Sequence, residues 1–153
     1  MFRAVAVVIL VLSSVVPALA QRKPAALPPH PFDGVPMFAC TFTRYGLARW
    51  EGEAPPTVIA GDDTFRIGIT DFDRRRNRAR VVGGNGTVDV SAFFTPTGLN
   101  VIEQTPGGNF ILTTIFVVAR SPDSWYAVHA RHLGDPEAPP SVSQYYGSCA
   151  AAK

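Results

Sequence analysis

The chain has 153 residues, 14 Lys and Arg against 12 Asp and Glu, 46% hydrophobic residues and two cysteines. That length holds one domain with a core of its own and not comfortably two. The near-balance of charge excludes attraction to polyanions by the molecule as a whole, so nucleic acid is not an expected partner and any electrostatic role must be local.

Met1-Phe2-Arg3 leads into the uninterrupted apolar run 4–12, then Ser13, Ser14, Pro17 and Ala18-Leu19-Ala20. One positive charge, a short apolar stretch and small residues three and one positions before Gln21 make the pattern of a cleavable signal peptide over residues 1–20. Pro17 ends the leader helix and leaves the cleavage segment extended. A membrane span needs about 20 mostly apolar residues, and this stretch reaches that length only by including the serines and the proline. No stable membrane insertion is therefore expected after cleavage, and the protein is read as exported, periplasmic or secreted.

Residues 21–36 carry Pro24, Pro28, Pro29, Pro31 and Pro36. Proline at that density removes backbone donors and favours extended chain, so this segment reads as a lead or linker along the surface without a fold of its own. Residues 37–149 read as a single β domain and residues 150–153 as a tail.

From Met37 the dominant period is two. Phe38, Cys40 and Phe42 alternate with Ala39 and Thr41, which predicts a strand. Residues 45–63, interrupted by Gly46, Gly52, Pro55, Pro56 and Gly61, accommodate one or two short strands near 47–50 and 57–60. Phe65, Ile67 and Ile69 mark a half-buried strand, 71–77 a polar turn and 78–82 a returning strand. Asn85-Gly86 then predicts a hairpin with a type I′ turn, whose central residues both need positive φ. Strands follow over 87–94, 99–104, 109–118 and 125–132, separated by Pro- and Gly-containing turns. A loop is expected over 133–140 and a last strand over 142–149. No stretch sustains a helical period.

Seven to nine short strands with frequent turns have the rhythm of an antiparallel meander or small barrel. In an oxidising compartment the solitary pair Cys40 and Cys149 is expected to form a disulfide. That bond brings the first and last strands together, which favours a closed or nearly closed barrel over an open sheet. A β-sandwich is the alternative.

Few residues suggest chemistry. Arg74, Arg75, Arg76, Arg78 and Arg80 crowd one polar turn, where guanidinium groups suit phosphate, lipid headgroups or an acidic protein surface. Asp71 and Asp73 balance them in part, which reads more simply as a solvated hairpin end. Arginines occupy the positions where a calcium loop needs oxygen ligands. His129 and Arg131 share one strand face and His132 points the other way, so the pair of histidines does not converge on a metal ion, and no metal or other cofactor is expected. Inside a barrel, His129 and Arg131 would form a polar spot able to orient an anionic ligand. Trp125, Tyr126, Tyr145 and Tyr146 are candidates for a ligand mouth, a docking patch or plain core. No serine lies in a nucleophile elbow, and Glu103 has no carboxylate partner at a telling spacing.

Four segments carry a resemblance: Asn77-Arg78-Ala79-Arg80-Val81, Glu103-Gln104-Thr105-Pro106-Gly107-Gly108, Ala127-Val128-His129-Ala130-Arg131-His132 and Ser143-Gln144-Tyr145-Tyr146-Gly147-Ser148-Cys149. With them the second half resembles a group of small exported bacterial proteins without assigned activity, which implies a bacterial envelope setting. The leader, the early strand with a cysteine and the terminal cysteine are more loosely similar to periplasmic lysozyme inhibitors, although this chain has no Ser-Gly-x-x-Tyr loop. The leading expectation is a non-enzymatic binding module for a small or amphipathic ligand. The alternatives are a protein partner in the envelope, such as an inhibited hydrolase, and an enzyme whose groups converge only in three dimensions.

Overall fold

The computed structural model describes residues 25–153. The leader expected over residues 1–20, and residues 21–24 of the Pro-rich lead, lie outside the described residues. Eight strands follow in order: β1 (Met37–Arg49), β2 (Thr57–Asp73), β3 (Arg78–Gly83), β4 (Gly86–Thr95), β5 (Gly98–Gln104), β6 (Phe110–Ser121), β7 (Ser124–Asp135) and β8 (Ala138–Ala152). Each pairs antiparallel with the next, and β1 pairs with β8, so the meander closes into a barrel. Cys40 and Cys149 lie opposite one another on β1 and β8 and form a disulfide at the seam.

Alternation decides what faces inward. Phe38, Cys40 and Phe42 of β1, Ile69 of β2, Ala79 of β3, Val90 and Ala92 of β4, Leu99 and Val101 of β5, Ile115 of β6, Ala127 of β7 and Cys149 of β8 are all buried in one core. Each strand contributes residues from its inward row, as the closed sheet of a small barrel requires.

Several boundaries differ from expectation. The interrupted segment 45–63 contains the outer ends of two long strands, joined across residues 50–56, with Leu47 opposite Ile59 and Arg49 opposite Thr57. The loop expected over 133–140 shrinks to a tight turn between Asp135 and Ala138. Pro139 and Pro140 are tolerated in β8 because neither faces a ladder partner on β1 or β7, and a proline has no donor to offer one. The hairpin at Asn85-Gly86 is present, but its two-residue connection is Gly84-Asn85. Gly86 takes the positive φ of 115° and Asn85 does not, so the turn is not type I′. The last strand also runs past Cys149 to Ala152.

Two irregularities steer side chains. The β1 ladder shifts between Phe42 and Arg44, so that Tyr45 and Leu47 continue the inward row above Phe42. In β2, Asp71 has φ 56°, a conformation aspartate tolerates better than most residues, and the β2–β3 ladder shifts around it. The shift carries Phe72 inward, where it packs edge-on against Phe38 and Phe94.

The described part of the lead does not merely lie on the surface. Phe32 is 2% exposed and fills one end of the barrel against Phe38 and Trp125. Burial of such a ring stabilises by about 1.5–3 kcal/mol. A short turn presents it, closed by the Asp33 backbone N–H donating to His30 O (2.9 Å) and the His30 N–H donating to the Asp33 carboxylate (2.7 Å). His30 Nε2–H donates to Thr95 O (2.9 Å), and its Nδ1 accepts from the Phe32 N–H (3.1 Å).

Candidate functional site: the open end of the barrel

The barrel's two ends are unequal because its strands are. β2 pairs with β3 only from Gly68 onward, so residues 57–67 of β2 have β1 alone as a neighbour. β7, β8, β1 and β2 therefore stand as a tall wall, while β3 and β4 stop at the low turn Gly83–Gly86 and β5 and β6 at the loop 105–109. At this end the interior is not filled. A cavity of about 590 Å³ lies between the low rim and the wall, lined by Ile67, Val81, Val88, Ile111, Glu103 and Arg131 among others. A second, of about 490 Å³, lies against the wall and is lined by Tyr45, Arg49, Asp62, Asp63, Ser143 and Arg131. Arg131 belongs to both.

His129 and Arg131 both point inward from β7, and Tyr145 does so from β8. His129 is 5% exposed and sits among the rings of Phe42, Phe65 and Tyr145. Burial in that apolar surround pushes its pKa down to about 4, and the Arg131 charge adds to the shift. The imidazole is therefore neutral at physiological pH. Arg131 Nε–H donates to His129 Nε2 (3.0 Å), which leaves Nδ1 to carry the ring proton and donate to Thr113 Oγ1 (2.8 Å). Both ring nitrogens are thus engaged.

The Arg131 guanidinium rests in the angle between two perpendicular rings. Its central carbon is 4.8 Å from the Phe65 centroid and 4.9 Å from that of Tyr145, which are themselves 4.8 Å apart. Ring faces attract a guanidinium and fix its plane, by about 0.5–2 kcal/mol per contact according to how far water is excluded. Nε is held by His129, and no carboxylate among the described residues lies within ion-pair distance of the group. The Nη groups are therefore an oriented donor pair with no protein acceptor among the described residues.

The other sequence candidates lie elsewhere. Tyr146 is on the outer surface, its hydroxyl donating to Gln144 Oε1 (2.8 Å), beside a shallow groove lined by Ala48, Val58 and Val142. His132 is also outside, against Phe110. Arg74, Arg75 and Arg76 are at the opposite, plugged end. Arg74 pairs with Asp33, donates to Pro28 O (3.0 Å) and lies over the Phe94 ring, and Arg75 donates to Ala25 O (3.3 Å). Arg76 pairs with Asp73, and Arg80 with Asp71 and Asp89. The arginine turn thus holds the lead in place.

Sequence reasoning missed Thr113, Phe65, Tyr45 and Arg49 as parts of this end. Thr113 carried a readable signal, a polar residue between Ile111 and Ile115 on an otherwise apolar row. Tyr45 and Arg49 did not, because their facing depends on the register shift after Phe42.

Fold and site together define a class: a disulfide-closed, eight-stranded antiparallel barrel, plugged by its own N-terminal segment at one end and open at the other. Comparison with known proteins finds no matching family model and no matching curated relative. Among the described residues no helix is long and apolar enough to cross a membrane.

Proposed function

We propose that this chain is an exported, non-enzymatic binding domain that takes a small amphipathic ligand into the open end of its barrel. The observation that carries this reading is the unfilled space of about 590 Å³ beside the buried hydrophobic core of the barrel. That volume falls within the 300–1,000 Å³ typical of small-molecule sites, and its lining has their character, mostly apolar with a few oriented polar groups. A non-enzymatic role is supported by His129. It is the one histidine in the mouth, it is neutral, and its two nitrogens are taken by a threonine and an arginine, with no carboxylate hydrogen-bonded to it among the described residues, a poor arrangement for a general base. Export is supported by the leader pattern and by the disulfide, which persists in oxidising compartments.

Uptake of a neutral environment-sensitive dye, N-phenyl-naphthylamine, tests the reading. The folded protein is expected to bind it with enhanced emission, and Val88→Trp, a filling change at a half-exposed rim position, is expected to abolish uptake while leaving thermal stability unchanged. Absence of binding to the unmodified protein, or binding unaffected by Val88→Trp, overturns it.

A further inference from the structure

Resting on the reading of the open end as a ligand site, we infer that the ligand is an amphiphile with an oxyanion head, a carboxylate or a phosphate monoester, received by the Arg131 fork with its apolar part laid along Ile67, Val81, Val88 and Ile111. Three observations converge. The first is the state of Arg131: Nε is taken by His129, the guanidinium plane is fixed by Phe65 and Tyr145, and the Nη edge has no carboxylate partner among the described residues. A planar, pre-oriented pair of N–H donors is the geometry that matches an oxyanion two bonds at a time, and fixing it beforehand removes the ordering cost from binding.

The second is the distribution of charge between the two cavities. The larger has Arg66 at its rim and Arg131 inside against a single acid, Glu103. The smaller has Asp62 and Asp63 against Arg49 and Arg131. An anionic head is therefore favoured on the side of Arg131 that faces the larger space. The third is the lining beyond the fork, where the four aliphatic side chains offer a wall to an alkyl or similar apolar group and little to a fully polar ligand.

Glu103 makes the inference sharp. It stands on β5 opposite Ile111, which in turn is opposite Arg131. Two strand spacings, about 10 Å, separate its strand position from that of Arg131. It repels an anion that Arg131 attracts, so removing each charge must act with opposite sign.

Binding of decanoate, decyl phosphate and decanol to the folded protein, measured by displacement of N-phenyl-naphthylamine, tests this. The two anions are expected to bind about tenfold or more tightly than decanol, as a charge-assisted pair of hydrogen bonds predicts, and whichever anion is the tighter identifies the natural head. Arg131→Gln is expected to remove that discrimination while decanol still binds, Arg131→Lys to keep only part of it, and Glu103→Gln to tighten both anions roughly twofold without affecting decanol. Equal binding of all three compounds, or discrimination that survives Arg131→Gln, overturns the oxyanion assignment and leaves the cavity reading standing. Should Arg131→Gln fail to fold, weaker or unchanged anion binding by Glu103→Gln overturns it. Failure of the unmodified protein to bind dye and decanol alike rejects the cavity reading itself.

Discussion

His129 ties the open end of the barrel to acid stability. The imidazole of an unfolded chain takes its proton near pH 6.5, whereas in the fold burial and Arg131 hold it back until about pH 4. Between those values the unfolded state binds more protons than the folded one, so stability falls as pH drops through that window and levels off below it. The full effect is about 3 kcal/mol by linkage. Asp33 and Asp73 act lower on the scale. The His30 N–H and the Arg76 N–H respectively, each with an arginine side chain, hold their carboxyls below the usual value of 3.8, so their contribution is lost only in stronger acid. Denaturant midpoints followed from pH 7 to pH 4 are expected to decline for the native protein and to stay much flatter for His129→Gln, whose amide can still accept from Arg131 and donate to Thr113. A decline of equal size in both proteins removes His129 as its cause.

At the scale of elements, the closed sheet depends on two places where strand backbones crowd. Gly147 of β8 lies opposite Phe42, beside the shift in the β1 ladder, and a Cβ there would overlap the Thr41 carbonyl and the Phe42 Cα. Gly98, opposite Phe116, meets the Ile115 carbonyl in the same way. Neither needs positive φ; both need the absence of a side chain. Gly147→Ala is expected to destabilise by about 1–3 kcal/mol, the range for forcing atoms into a packed interior. Gly46→Ala, on β1 where a Cβ meets open space, is expected to change stability by no more than about 0.5 kcal/mol. Urea midpoints of the two variants decide the point, and equal shifts would show that close approach at Gly147 does not limit the fold. The long ends of β1, β2, β7 and β8 complete the picture, since they make one wall taller than the other and so create the cavity.

For the whole molecule, closure is secured twice, by the β1–β8 ladder and by the disulfide across it. The bond spans a sequence separation of 109 residues, and restricting so long a loop in the unfolded chain corresponds to about 4–5 kcal/mol in the chain-entropy model. Because the ladder remains, loss of the bond is expected to lower stability without opening the barrel. Cys40→Ser/Cys149→Ser should show a reduced denaturant midpoint with dye uptake preserved. If the chain is exported as proposed, its intact mass should correspond to a chain beginning at Gln21, with neither cysteine alkylated before reduction. A mass that retains residues 1–20 contradicts cleavage of the leader, and alkylation of both thiols without reduction contradicts the bond.

What could be read from the sequence follows from period and parity. Alternation of two fixes the class of secondary structure and, along Phe38–Phe42 or Phe65–Ile69, which side chains share a face. Export chemistry makes a bond between two lone cysteines the expected outcome, and closure of the meander follows from joining its ends. The facing of His129 with Arg131 and away from His132 is parity too, although which of the two faces is the inside is not. That depended on tertiary structure, as did the burial of Phe32 from a proline-rich lead, the extension of strands through Gly46 and Gly61, and the fate of the arginines at residues 74–76. Each of these is decided by what lies across the barrel or at its end, and contacts between residues distant in the chain leave no local pattern. The cavity is the clearest case, for it arises from unequal strand lengths around a ring, a property that no single strand possesses.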